Sequence, residues 1–242
     1  MLKIIIPLAG GSELFSNAGY AYPKPLIDMQ GRPMIEWVLT NPAKIGVPHQ
    51  FIFIIKEDDV LKYHIDNTLK LLSPGAEIVR IKRPAKGGLC SVLMAIDKIE
   101  ADDSLLILNS DQVIDIDFSQ LLNVWKKQGA AAGLVTFPSV HPRWSYARIE
   151  NEEVVQTAEK NPISKHAIAG YYYFEKAGDF LKAAFQSIKK DVQLDGMFYI
   201  SPVINEFVLM NKKVKLFSIE TGQYHSFYSP QMLTEFERTL DL

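Results

Sequence analysis

A short β-branched run, Leu2–Pro7, empties into Leu8-Ala9-Gly10-Gly11-Ser12. Small residues after a strand let a phosphate approach backbone N–H groups without side-chain clash. Glycine pairs after strands also make ordinary turns, so this segment alone leaves both readings open. Further on, Tyr22-Pro23-Lys24-Pro25-Leu26 fixes a lysine between two prolines, which restrict the backbone on either side. That rigidity suits a cation aimed at a phosphate, and it equally describes a braced loop with a solvated lysine. A second apolar run, Ser104–Leu108, ends in Asn109-Ser110-Asp111-Gln112 and brings a carboxylate to a strand end.

Other chemistry-bearing residues have plainer readings. His141, His166 and His225 lack the short fixed spacing of a zinc site, and the single cysteine, Cys90, cannot build one with them. Asp115-Ile116-Asp117 has the spacing of a metal-binding pair, but Asp117 stands just before a helical stretch and reads as its N-cap. Trp144 and Tyr146 have the chemistry to stack on a sugar or base, or to build an aromatic core. In Tyr171-Tyr172-Tyr173-Phe174 strand alternation sends some rings into packing and leaves others free to face a crevice. Arg143, beside Trp144, is a candidate substrate-facing cation.

The elements that must position these residues follow from hydrophobic patterning. Leu2–Pro7, Phe51–Ile55, Glu77–Ile81, Ser104–Leu108 and Ala131–Phe137 read as strands. Helical stretches are expected at 34–39, 60–72, 88–99 and 118–128. This strand–helix alternation predicts a doubly wound, mostly parallel α/β sheet with ligand groups at the carboxyl ends of the strands. Beyond Phe137, strands at Tyr146–Glu150, Val154–Ala158, Ala169–Phe174 and Val214–Phe217 are interleaved with helices at 178–189 and 202–210. No Gly/Ser linker separates this mixed half from the first, so a single domain is expected.

The chain has 242 residues, 48% hydrophobic and 22% charged, with a formal net charge of −2. That is the balance of a globular protein, with no basic footprint for nucleic acid. No apolar run approaches the roughly 20 residues that span a bilayer. One cysteine and no secretory-type leader give the cytoplasm as the expected location.

The stretch from Ile5-Ile6-Pro7-Leu8-Ala9-Gly10-Gly11 to Pro23-Lys24-Pro25-Leu26-Ile27 resembles the opening signature of the sugar-phosphate nucleotidylyltransferases, NTP-transferases of glycosyltransferase-A-like, Rossmann-like fold. The whole chain is similar to the branch found with capsule and lipopolysaccharide biosynthesis. The further segments are Asn17-Ala18-Gly19-Tyr20, Asn109-Ser110-Asp111-Gln112, His141 to Ala147, Ala158-Glu159-Lys160, Pro162-Ile163-Ser164, Gly170 to Phe174, Phe198-Tyr199, Pro202-Val203 and Asn205-Glu206, in order along the chain. The resemblance implies transfer of a nucleotidyl group from an NTP to a small phosphorylated acceptor, with release of pyrophosphate. It implies that Leu8, Ala9, Gly10 and Gly11 approach the triphosphate, that Lys24 neutralises it, and that Asp111 binds Mg²⁺ beside Ser110. Gly87 falls in the base-recognition segment. Glu159 and Lys160, with Gly170, meet the acceptor. Residues 1–137 then form a nucleotide-binding half and 138–242 an acceptor-binding half of one nucleotidyltransferase-like domain. By family analogy the protein is a homodimer.

Several positions depart from the family pattern. Ser12, Glu13 and Leu14 stand where a glycine, a small hydroxyl residue and an arginine are usual, so the arginine clamp is missing and a negative charge is added. Ser226 replaces an aspartate that serves some members as a second metal ligand, and Glu220 is the nearby carboxylate that could compensate. Met197 stands where a glutamate is common, and Lys86 brings a cation where none is usual. The leading expectation is a Mg²⁺-dependent transferase. The alternative is a catalytically impaired binding relative with a regulatory or assembly role, and a glycosyltransferase using a preformed nucleotide sugar ranks third.

Overall fold

The computed structural model describes residues 1–240. Its strands are β1 (Leu2–Pro7), β2 (Asp28–Met29), β3 (Arg32–Pro33), β4 (His49–Lys56), β5 (Glu77–Ile81), β6 (Ser104–Leu108) and β7 (Gln112–Ile114) in the first half. They continue with β8 (Ala132–Pro138), β9 (Tyr146–Glu150), β10 (Glu153–Ala158), β11 (His166–Phe174), β12 (Val214–Ser218) and β13 (Tyr224–Ser226). Helices are α1 (Glu13–Asn17), α2 (Met34–Thr40), α3 (Glu57–Tyr63), α4 (Ile65–Leu72), α5 (Gly88–Leu93), α6 (Phe118–Lys127), α7 (Ala177–Lys189), α8 (Val203–Leu209) and α9 (Pro230–Leu240).

Nine strands share one sheet, in the order β5-β4-β1-β6-β11 with β9 and β10 beyond; β8 pairs with β11 and β12 with β8. The pairs β1–β4, β1–β6, β4–β5 and β8–β12 are parallel, and β11 runs antiparallel to β6, β8 and β9. The chain is therefore an α/β protein with a parallel, doubly wound first half and a mixed second half. After β1 the order steps outward through β4 and β5, then returns to β6 on the other side. The crevice between β1 and β6 is thus the point where strand order reverses, where open α/β sheets place their ligands.

Both faces of the sheet are covered, which explains why the strands read as continuous apolar runs. Alternate residues nevertheless serve different layers. Ile4 and Ile6 join one core with Val38, Leu121 and Phe236, whereas Ile5 joins a second with Leu89, Phe180 and Phe207. Tyr171 and Tyr173 divide from Tyr172 and Phe174 in the same way. All four rings are buried, so none of them lies open to the crevice as their alternation had allowed.

Two helices differ from expectation. The stretch 60–72 is broken at His64, whose φ of 52° is left-handed and whose N–H caps on the Val60 carbonyl. Buried Val60 and buried Ile65 are five positions apart, off the helical period, and the break re-phases the apolar face. The acidic cluster Glu57-Asp58-Asp59 is the first turn of α3, where negative charge suits the helix dipole. The stretch 88–99 stops being α-helical at Leu93 and tightens through i→i−3 bonds from Met94 and Ala95. Asp117 does cap α6, accepting from the N–H groups of Ser119 and Gln120. At the C-terminal end β13 and α9 had no counterpart in the patterning. Phe236 of α9 packs edge-on against Trp37 and against Phe227.

Candidate functional site

The switch-point crevice opens where β1 ends. Leu8 is buried and its N–H donates to the Ile54 carbonyl at 2.7 Å, which fixes the exit of the chain. Gly10 is exposed, with open space on its side-chain side. Ser12 precedes α1, and its Oγ accepts the backbone N–H of Lys24 at 3.1 Å. That bond ties the proline-braced turn to the glycine loop. Buried Pro25 anchors the turn from below. Lys24 is thereby aimed across the crevice, and its Nζ donates to Oδ2 of Asp111 at 2.7 Å. The two side chains are 16% and 20% exposed, so the pair is mostly withdrawn from water while still accessible.

Asp111 sits just past β6. Its carbonyl accepts the N–H of Phe227 at 2.7 Å, and the β7–β13 ladder holds the next three residues. Buried Gln112 locks this turn: its amide donates to the Ala169 carbonyl and accepts from the Tyr224 hydroxyl at 3.1 Å. Burial, and after it the charge of Asp111, pushes the phenols of Tyr171 and Tyr224 far up, so both stay neutral near the carboxylate. Gly170 closes the third side. Its carbonyl accepts from the Asn109 N–H at 3.1 Å, its φ is 70°, and a Cβ there would strike the side-chain amides of Asn109 and Gln112. The β11 pairing shifts register around it.

Among the described residues no group of three or more His, Cys, Asp or Glu is placed to hold a metal. Magnesium does not require one: it is commonly held by one or two carboxylates, waters and the substrate's own phosphates. A lone, accessible carboxylate at a strand end beside a phosphate-type loop fits that chemistry. Glu220 does not join Asp111. Ser226 pairs with Gln112 at the Asp111 end of the β7–β13 ladder, whereas Glu220 lies beyond the opposite end, where it forms a capping box with Gln223. Asp115 is likewise engaged, with His225 Nε2 2.8 Å from its Oδ2.

A second polar cluster lies along the β10 exit. Oε2 of Glu159 accepts from Ser145 Oγ at 2.5 Å and from Ser201 Oγ at 2.6 Å, which leaves Oε1 for another partner. Asn205 of α8 clips the strand behind it, accepting the Thr157 N–H at 2.7 Å and donating to the Thr157 carbonyl at 3.0 Å. Burial, then the Glu159 charge, raises the Tyr172 phenol well above its ordinary range. Lys160 turns away in a left-handed conformation, φ 51°, and its Nζ donates to the Tyr199 hydroxyl at 3.0 Å. That bond raises the lysine's pKa, so it stays cationic. Ser145, Ser201 and Tyr199 were not singled out as site residues by sequence reasoning. Ser145 and Tyr199 do fall inside the motif segments, but no spacing rule points at a serine pair 56 residues apart.

Gly87 has a φ of 98° because a Cβ there would run into the backbone of Phe198. The Lys86 carbonyl accepts the Phe198 N–H, and Leu89 donates back to the Phe198 carbonyl. The candidate base segment is therefore fastened to the segment that carries Tyr199. Arg143 lies over the Trp144 ring at 4.3 Å, near Met232, and Trp144 packs edge-on with Tyr224.

Comparison with known proteins agrees with this fold. Residues 5–217 match the family model described as Nucleotidyl transferase. The structure is similar to that of the nucleoside-diphosphate-sugar pyrophosphorylase from Vibrio cholerae RC9, with a TM-score of 0.83 and 25% identity, covering 97% of this chain and 99% of that one. The sequence is 23% identical over 199 residues to a mannose-1-phosphate guanylyltransferase catalytic subunit beta from Xenopus tropicalis, covering 79% of this chain and 55% of that protein. It is 24% identical over 212 residues to the bifunctional protein GlmU of Thermotoga sp. (strain RQ2), covering 85% of this chain and 44% of that protein. The chain thus spans about half the length of these curated relatives.

Proposed function

The chain belongs to the nucleotidyl transferase family, and from that premise we propose that it joins a nucleoside triphosphate to a sugar phosphate, or a related small phosphorylated metabolite, with release of pyrophosphate. The observation that carries this reading is the Lys24–Asp111 pair at 2.7 Å in the switch-point crevice, beside the glycine loop. Two of the relatives' names add support, one naming mannose-1-phosphate guanylyltransferase and the other a nucleoside-diphosphate-sugar pyrophosphorylase.

In this reading an oxygen of the acceptor phosphate attacks the α-phosphorus. The bond from that phosphorus to the bridging oxygen of the β-phosphate breaks in line, and pyrophosphate leaves. The nucleophile is already an anion, so no protein base is needed, and orientation with charge neutralisation supplies the rate. Ala9, Gly10 and Gly11 offer the triphosphate backbone N–H groups, together with Ser110, while Leu8 fixes the start of the loop through its own N–H bond to the Ile54 carbonyl. Lys24 exchanges Asp111 for a phosphate oxygen. Asp111, so released, would hold Mg²⁺, which would supply charge neutralisation to the phosphates. Glu159, held by Ser145 and Ser201, accepts a hydroxyl of the acceptor. Lys160 pairs with its phosphate, Gly170 shapes the floor, and Gly87 sets the base segment. Arg143 remains the outlying cation of the acceptor side.

The two halves, 1–137 and 138–242, act as one nucleotidyltransferase-like domain working in the cytoplasm, as a homodimer, in surface-polysaccharide biosynthesis of the capsule or lipopolysaccharide kind. No described helix is long and apolar enough to cross a membrane.

A thermal-shift panel of ATP, CTP, GTP, UTP and dTTP, with Mg²⁺ and with EDTA, tests the reading. A ligand at about 100 times its Kd adds roughly 2.7 kcal/mol. One nucleotide should shift the melt in a Mg²⁺-dependent way, and acceptors can then be screened by pyrophosphate release. A specific observation favours the alternative of an impaired binding relative: Leu14, in place of the family arginine, is 47% exposed and pairs with nothing charged. If the native protein binds nucleotide without turnover while Leu14→Arg turns over, that alternative is the correct one.

A further inference from the structure

Glu13 begins α1, and its side chain does not run along the helix but folds back over the glycine loop. A Cβ placed on Gly11 would overlap the Glu13 carboxylate, with Cδ and Oε1 each 2.6 Å from it. The residue is solvent-exposed, and among the described residues it has no lysine or arginine within ion-pairing distance. The nearest cation of the site, Lys24, is already committed to Asp111. A carboxylate without an ion-pair partner therefore lies against Gly11, within the loop that a triphosphate would approach on the reading above, on which this inference rests. The clamp residue that would offset it is an uncharged leucine, Leu14.

Like charges a few ångströms apart repel appreciably at protein dielectrics. A metal-free triphosphate is more anionic than its magnesium complex by the charge of the ion, so it meets this repulsion in full. The metal-bound form meets it attenuated, with the option of the carboxylate turning towards the cation. We propose that Glu13 makes nucleotide binding conditional on a divalent cation, its carboxylate over Gly11 excluding the bare triphosphate and admitting the metal-bound one. Glu13 is then a determinant of which ionic form of the nucleotide is accepted. By linkage, the factor by which Mg²⁺ tightens nucleotide is the factor by which nucleotide tightens Mg²⁺, and Glu13 sets part of that coupling.

The test is a set of dissociation constants for ATP, CTP, GTP, UTP and dTTP, by calorimetry, in Mg²⁺ and in EDTA. The proteins are the native chain, Glu13→Gln, which keeps the shape, and Glu13→Ala, which removes it. The ratio of Kd in EDTA to Kd in Mg²⁺ should fall about tenfold in both variants, through tighter metal-free binding, with Kd in Mg²⁺ changed less than about threefold. Metal-free binding gained by the variants where the native chain shows none is the same result in its strongest form. An unchanged ratio, with the native chain binding nucleotide, overturns the role of Glu13 and leaves the transferase reading standing. If no nucleotide binds any of the three proteins in either condition, the nucleotide reading fails and this inference falls with it.

Discussion

Lys24 and Asp111 are 87 positions apart in the sequence and 2.7 Å apart in the fold, the lysine reaching over from the proline-braced turn to the carboxylate past β6. In the ligand-free protein each neutralises the other. The pair holds a cation and an anion together in a mostly dry crevice, and in the proposed reaction phosphates and a metal would separate them.

Lys24→Ala and Asp111→Ala should each lower pyrophosphate release by about 10²–10³-fold, the usual consequence of losing one preorganised charge at the reacting phosphates. Each single variant should also lose on the order of 1–3 kcal/mol of stability, because the partner is left unpaired. The double variant should lose less than the sum, as contacting charges do in a cycle. Additive losses in chemical denaturation would show that the 2.7 Å contact is energetically idle.

The serine pair around Glu159 holds one carboxylate oxygen, and in the proposed reaction the other would meet the acceptor. Ser145→Ala and Ser201→Ala should raise KM for the phosphorylated acceptor by about three- to tenfold each, while KM for the nucleotide stays put. Equal effects on both substrates in initial-rate kinetics would argue for a general packing defect instead. Glu159→Gln should have a larger effect of the same kind, with the nucleotide-induced thermal shift preserved.

Gly170→Ala should destabilise the protein by about 2–4 kcal/mol, from a left-handed φ combined with overlap onto the Asn109 and Gln112 amides. Gly10→Ala, where space is open and φ is not left-handed, should leave stability unchanged or raise it by up to about 1 kcal/mol, so the two substitutions separate conformational need from mere flexibility. Urea denaturation of the pair reads this directly.

Cys90 is half-buried beside the Gly87 segment. Burial raises its thiol pKa, with only partial relief from Lys86. A raised pKa means less thiolate at any given pH, so alkylation of the native protein should be slower than that of free cysteine at pH 8. Its rate-against-pH curve should be displaced upward. A rate equal to that of the free thiol would show that the segment opens readily, contrary to its bonds with Phe198.

Much of the fold was legible because it depends on local patterning. Leu2–Pro7, Glu77–Ile81, Ser104–Leu108 and Tyr146–Glu150 form strands over the ranges their apolar runs define. The proline brackets around Lys24 and the N-cap at Asp117 are local devices, and both act as their residue types require. What failed locally failed for tertiary reasons. The His64 break serves the spacing of buried Val60 and Ile65, and α9 owes its place to Trp37, far away in sequence, as well as to nearby Phe227.

The sequence by itself therefore determined the α/β class, the strand ends at which ligand groups stand, and the family to which the chain belongs. These follow from continuous apolar runs alternating with stretches of helical period and from motifs spread in order along the chain. Only the tertiary structure decided that Lys24 meets Asp111, that Ser145 and Ser201 share one oxygen of Glu159, that Glu220 stands away from the metal candidate, and that Glu13 folds onto Gly11. The first three depend on which strand ends become neighbours, an outcome set by contacts between residues far apart in the chain, and the last on the rotamer that an exposed side chain adopts over its own loop.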